Sequence, residues 1–288
     1  MSLKTILVPL RGRADDQIAL TGALTVARAF DAHIDGVFVT IDPRDSVPLL
    51  GEGMSGAMVD EIMRAAEADS RTHLAQARRF FDEMVRSGAV SLRDVPPAPG
   101  GASARWRELN GRAEDIIPKE GRLFDLLVFA HCTVDENPQG YTVLEAALLT
   151  SGRPLLIVPK TAPTRIGGTV AVAWNGNRES ARAVGAAMPF LRGADRVHIL
   201  TAETSATTGA AGTRLAAYLA WHDIDASVTL VQPGASAVGH ALLERAGALG
   251  ADLLVMGGYG HGRVREMILG GVTRDVLRHG GLPILMAH

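Results

Sequence analysis

Glycines stand at 257, 258, 260, 262, 270 and 271 in the stretch MGGYGHGRVREMILGGVTRDVL, Met256 to Leu277. A backbone without Cβ atoms can come close to phosphate oxygens. A helix starting beside it offers free N–H groups and the positive end of its dipole. The same glycines would also suit a plain strand-to-helix turn with close helix packing. Two familiar phosphate-binding patterns do not fit. Completing G-x-G-x-x-G from Gly258 needs a glycine at 263, where Arg263 stands, and that fingerprint follows a first strand. No Gly-Lys-Ser/Thr occurs in the stretch, so a P-loop NTPase is disfavoured along with a dinucleotide oxidoreductase. His261, Arg263 and Arg265 bring charge suited to a triphosphate, although Arg265 reads equally well as solvated helix charge.

Catalytic chemistry finds less support. Hydrolysis at a γ-phosphate needs a positioned water, a base and usually a metal clamp. The nearest acids, Glu266 and Asp275, both fall on expected helices and read as surface charge. Cys132 follows His131 directly, but alternation along an extended segment points the two apart. The thiol then reads as a small buried group. His198, His240, His261, His279 and His288 are scattered, with no His-Glu-x-x-His among them, so no metal site is expected. No catalytic residue is assigned, and at most a slow ATPase is expected.

The totals narrow the class further. A chain of 288 residues accommodates one large α/β domain or two of roughly 140. With 29 basic and 31 acidic residues it has no electrostatic footprint for nucleic acid. The opening MSLKTILVPL is too short in its apolar part for a signal peptide, and no apolar run approaches a membrane span. The single cysteine allows no internal disulfide. A soluble cytoplasmic protein is expected.

The elements that must position the glycines come as a series written twice. Continuous apolar runs at Ile6–Val8, Val37–Val39, Leu126–Phe129 and Leu155–Val158 return as Val170–Ala173, His198–Leu200, Val228–Val231, Leu253–Met256 and Ile284–Met286. Such runs suit strands buried on both faces of a parallel sheet. The repeat extends to letters: FDLLVFA (Phe124–Ala130) matches ADLLVMG (Ala251–Gly257), and SGRPLLIVP (Ser151–Pro159) matches GGLPILMAH (Gly280–His288). Helical patterns lie between, at Asp15–Phe30, at Asn177–Leu191 and, with a break expected inside it, at Met58–Ser87. Asp42–Gly56 and Asp94–Ser103 read as loops on turn-residue content. Each half therefore reads as five parallel strands alternating with helices, an open doubly wound sheet. The expected division is 1–160 and 168–288, with 161–167 as linker.

In such sheets a ligand sits outside the carboxyl ends of the strands where the strand order reverses. With the common order 3-2-1-4-5 in each half, strands one and four flank that crevice. In the second half strand one ends at Ala173-Trp174-Asn175-Gly176 and strand four at Met256-Gly257, which puts the glycine-rich stretch at the crevice. Asn175-Gly176 is also a good turn dipeptide. Trp174 could cap the pocket or fill the sheet end.

Gly257-x-x-Gly260, nine residues, then Gly270, with DLLVMG before and VTRDVLRH after, resembles the G-2x-G-9x-G-(S/T) ATP-binding motif of the universal stress protein family. The whole chain looks like a tandem member with two adenine-nucleotide alpha-hydrolase-like domains. The resemblance implies ATP or a related adenine nucleotide, with magnesium in attendance, as ligand of the second half. It puts Gly257, Gly260 and Gly270 on the phosphates and ribose, with Met256 and Val272 as apolar neighbours, Thr273 as a nearby hydroxyl and Ala202 lining the base pocket. His261, Gly262 and Arg263 lie inside the motif. The family's hydroxyl after the last glycine is Gly271 here, and the acid that commonly ends strand one is Asn175. Asparagine keeps a carbonyl acceptor and adds a donor.

The first half departs further. Ala130, Thr133 and Tyr141 stand near the three glycine positions, and Arg11 stands where the acid is common, so its nucleotide site is expected to be lost. Its crevice would then be a scaffold or a pocket for something else. The resemblance implies a regulatory protein that forms a dimer of tandem chains. The competing expectation is a nucleotide-independent stress or interaction protein with structural pockets.

Overall fold

The computed structural model describes residues 2–40, 56–95, 100–161, 163–202, 210–233, 237–258 and 271–288. The first half comprises β1 (Thr5–Leu10), α1 (Asp15–Phe30), β2 (His33–Thr40), α2 (Gly56–Ser87), β3 (Ser91–Leu92), β4 (Ser103–Asn110), α3 (Ala113–Gly121), β5 (Leu126–Ala130), α4 (Pro138–Thr150) and β6 (Leu155–Val158). The second comprises β7 (Thr169–Ala173), α5 (Arg178–Gly193), β8 (Arg196–Ala202), α6 (Ala210–Ala220), β9 (Ala226–Val231), α7 (Val238–Ala248), β10 (Leu253–Gly257), α8 (Gly271–His279) and β11 (Ile284–Ala287).

All eleven strands join one sheet in the order β3-β4-β2-β1-β5-β6-β11-β10-β7-β8-β9. Every pairing is parallel except that of β6 with β11, where the halves meet antiparallel with Leu285 opposite Leu156. The two strands that pair are those of the letter repeat SGRPLLIVP and GGLPILMAH. Each half therefore offers the same edge to the other.

Two apolar cores run the length of the sheet, one on each face. Ile6, Val8 and Val172 point to α1, α2, α5 and α6, whereas Leu7, Ala171 and Leu254 point to α3, α4, α7 and α8. Both faces of the central strands are thus dry, which is why those strands read as unbroken apolar runs. Phe30 of α1 and Phe190 of α5 meet edge to face at 5.0 Å under the junction of the halves.

The second letter repeat has its own cause. Asp125 accepts from the N–H groups of Lys4 (2.8 Å) and Thr5 (3.0 Å), and Asp252 accepts from those of Gly167 (2.9 Å) and Thr169 (3.1 Å). Each aspartate ties the start of its half's first strand, β1 or β7, to the neighbouring β5 or β10, and so holds the crevice strands in register.

Three expectations need correction. α2 is one continuous helix of 32 residues, without a break at Met58–Ser87. It contains no interior glycine or proline; what changes along it is burial, since its buried residues are Ala77, Phe80, Phe81 and Met84 near its end. The expected loop over Asp94–Ser103 ends inside β4, which begins at Ser103. The first half has six strands rather than five, because the two residues of β3 pair with β4. β4 is charged, SARWRELN, yet stays in the sheet because Arg105 meets the fully buried Asp35 of β2 at 2.6 Å and Arg107 reaches it at 3.4 Å. Burial alone would push the Asp35 carboxyl up, but hydrogen bonds from His33 and Arg105 hold it below the ordinary range.

Candidate functional site

In the second half β7 lies between β10 and β8, with Met256 opposite Ala173. α5, which follows β7, packs on one face of the sheet and α8, which follows β10, on the other, the arrangement in which a crevice opens between the carboxyl ends of the two strands. Gly257 closes β10, and α8 begins at Gly271. Among the described residues α8 is seen from Gly271 onward, with Thr273 two residues further on. Gly260, His261, Gly262, Arg263, Arg265, Glu266 and Gly270 lie outside the described residues.

The placed residues divide by role. A Cβ on Gly257 would come within 2.6 Å of the Ser180 backbone nitrogen and 2.9 Å of Glu179 Cβ. This glycine thus lets the first turn of α5 press against the end of β10. Gly258 sits at the junction of the halves, where a Cβ would meet Leu148 of α4 and Met286 of β11 at 3.0 Å. Met256 and Thr273 are buried, while Ala202 and Val272 are half-buried at the strand and helix ends. Gly271 is exposed, with open space around its Cβ direction. Asn175 is exposed too, and its Oδ1 accepts the Asn177 N–H at 3.0 Å in a turn. That leaves its amide N–H groups as the donors it can present to a ligand. Asp275 faces α7, where a Cβ on Gly239 would lie 2.7 Å from its own Cβ.

Glu179 at the crevice floor is the group that sequence reasoning missed. It is 3% exposed in the first turn of α5, directly behind Gly257. Burial pushes its carboxyl up, but the Arg178 guanidinium at 2.5 Å and backbone hydrogen bonding hold it below the ordinary range. The usable signal was the acid in the first turn, a helix-start preference that also gave Asp15 and Asp16 in α1.

The equivalent crevice of the first half is filled by the chain itself. Arg11, at the end of β1, donates to Asn137 Oδ1 (2.7 Å) and to Asp15 Oδ2 (3.0 Å), and Asn137 Nδ2 donates to the same Asp15 oxygen at 3.2 Å. Asn137 also caps α4, accepting from the Gly140 N–H at 3.0 Å. The remaining cavity, lined by these residues with Cys132 and Phe129, holds about 30 Å³. Beneath it Asp16 accepts from the N–H groups of Arg11 (2.9 Å) and Gly12 (2.7 Å). Burial outweighs those bonds and raises its carboxyl to about 6.

His131 and Cys132 do point apart. The His131 Nε2 meets the Leu277 carbonyl of α8, across the junction of the halves, and burial lowers its basicity. Cys132 lines the first-half cavity, and burial pushes its thiol up to about 11. A thiol so far from ionising is a poor nucleophile at neutral pH. No helix among the described residues is long and apolar enough to cross a membrane.

Residues 168–288 match the model of the universal stress protein family. Among solved structures, a universal stress protein from Archaeoglobus fulgidus DSM 4304 is 18% identical with a TM-score of 0.70, over 99% of this chain and 96% of that one. A protein of unknown function from Pseudomonas aeruginosa PAO1 is 15% identical with a TM-score of 0.56, over 99% and 92%. At these identities the likeness concerns the fold. No curated protein matches the chain.

Proposed function

From a chain whose residues 168–288 belong to the universal stress protein family, and whose whole length shares its tandem fold, we propose that the second half binds an adenine nucleotide, ATP or a close relative. The single observation that carries this is the glycine spacing in the sequence between β10 and α8, with Gly257 at the end of β10 beside β7. The phosphates would lie against Gly257, Gly260 and Gly270, within reach of the α8 dipole. Asn175 would offer its amide to the base beside Ala202 and Met256. A magnesium ion would arrive on the phosphates, since the described residues hold no group of three His, Cys, Asp or Glu side chains able to take one. Binding would act by shifting conformation or assembly, with hydrolysis slow or absent.

In this reading the domains are 1–160 and 168–288, and the first is a scaffold for the second. β6 and β11 are already paired to each other, so self-association of whole chains would use another edge, of which β9 is the longer. A cytoplasmic, regulatory role goes with the family.

Isothermal titration of ATP with magnesium, against the native chain and Gly260→Val, tests the proposal. One site on the native chain and none on the variant is expected. No binding, or equal binding, sinks it. The second reading is a nucleotide-independent interaction protein. Two observations favour it: Gly257 is required by the packing of α5, and the Asn175 carbonyl is committed to its own turn. It predicts no shift of melting temperature with ATP and magnesium.

A further inference from the structure

A second cavity of the second half lies on the face of the sheet away from α8. It lies between α5 and α6, has a volume of about 380 Å³, and is lined by Trp174, Ala181, Val184, Arg214, Leu215 and Tyr218, among others. Val184 and Leu215 belong to the core on one face of the sheet, and Val276 and Leu277 of α8 to the core on the other. The pocket and the start of α8 are therefore on opposite faces. In the first half the matching space is closed: α2 lies against the end of β1, so that a Cβ on Gly12 would strike the His73 carbonyl at 2.1 Å.

The lining is specific in chemistry. The Trp174 indole is fixed by a hydrogen bond from Nε1 to the Ala211 carbonyl at 3.0 Å. Tyr218, exposed, stands across the groove with its ring edge to face against His222 at 4.9 Å. Ala181, Val184 and Leu215 make an apolar floor and wall. Arg214 lies on the same helix as Tyr218, one turn earlier, and is exposed. Among the described residues no carboxylate pairs with it. A space of this size suits a small molecule, and pockets of that kind combine apolar walls with a few placed polar groups. Two aromatic rings favour a flat π-system, and an unpaired guanidinium favours a carboxylate.

We propose that the groove between α5 and α6 is a binding site for a small aromatic carboxylate, with its ring between Trp174 and Tyr218 and its anion on Arg214. The site is independent of the nucleotide reading. It adjoins Asn175 through Trp174, so its ligand would sit next to the base end of the other crevice.

Titration of 1-naphthoate by calorimetry tests it, with neutral 1-naphthamide as control. The native chain is expected to bind one naphthoate saturably and the amide at least tenfold more weakly. Arg214→Glu should weaken naphthoate at least tenfold, and Ala181→Trp, which fills the groove from an exposed position, should abolish binding. Gly260→Val should bind naphthoate as the native chain does, whatever it does to ATP. No saturable binding, equal binding of acid and amide, or an unchanged affinity in Arg214→Glu overturns the proposal. Loss of naphthoate binding in Gly260→Val, with ATP competing directly, would mean that the pocket is part of the nucleotide crevice and would also overturn it. If Ala181→Trp does not fold, Arg214→Glu and the amide decide.

Discussion

The two crevices of this molecule occupy the same place in the same topology and have opposite contents. At the end of β1 a guanidinium, a carboxylate and an amide bond to one another and leave about 30 Å³. At the end of β7 the position of Arg11 is held by an exposed Asn175, and that of Asp15 by Glu179, which pairs with Arg178 rather than with Asn175. Fold alone does not make a site; in the first half Arg11, Asp15 and Asn137 meet one another where a ligand would have met them. The buried acids beneath tell the same story. Asp16 and Glu179 each stand in the first turn of the first helix of their half, yet burial wins at Asp16, and at Glu179 a neighbouring guanidinium wins.

The features the halves share should give the largest effect when broken. Asp252→Ala and Asp125→Ala each remove a carboxylate that holds two or more strand-start N–H groups, and bonds to a charged acceptor are worth about 1.5–3 kcal/mol each. Thermal melting should show losses on the order of 10 °C for either. A much smaller loss for Asp125→Ala would mean that the first half does not depend on its latch.

The acids come next, with opposite signs. Asp16 is raised from 3.8 to about 6, so its neutral form is the one the fold prefers. Its contribution is full below pH 4, fades as pH rises through about 6, and is about 3 kcal/mol in all. Glu179 is lowered, so its contribution is present above its unfolded value and fades as pH falls. Denaturant titrations across pH 3–8 should find Asp16→Asn flatter than the native chain between pH 4 and 6, and Glu179→Gln flatter on the acid side. Identical profiles for both variants would erase the distinction drawn between the two floors.

Opening the filled crevice is a smaller change. Arg11→Ala frees Asp15 and Asn137 and should cost about 1–2 kcal/mol, as expected for a half-buried guanidinium with two separate partners. Calorimetry should still count one nucleotide per chain. A second binding event would show that Arg11 alone keeps the first half empty.

Smallest is Gly271→Ser, which restores the hydroxyl found in the family motif. Among the described residues nothing lies within 4 Å of the added Cβ. One added hydrogen bond of about 0.5–1.5 kcal/mol should tighten ATP some two- to tenfold. Weaker binding would count against phosphates lying at the start of α8.

Much of this was legible in the residues. Doubly wound halves followed from apolar runs recurring between helical patterns, because strands dry on both faces have no alternation to hide them. β4 was not legible, because its arginines answer to partners distant in sequence, Asp35 some seventy residues earlier and Glu120 of α3. Nor was the continuity of α2, where a change in burial imitates a break. The crevice could be located from Asn175 and Gly257, but the packing duty of Gly257 depends on how closely α5 approaches, which no spacing encodes. Ser103 shows how local turn composition can run past a strand start that long-range pairing decides.

The antiparallel pairing of β6 with β11 has one more effect. In an assembly of two identical chains every substitution is made twice, and a residue that ruins one crevice ruins both. Here the two copies are encoded separately and held together by a short connection, so their meeting does not depend on protein concentration. Arg11 could enter one crevice while Asn175 and Gly257 stayed in the other. Covalent continuity thus frees each half to change without the other.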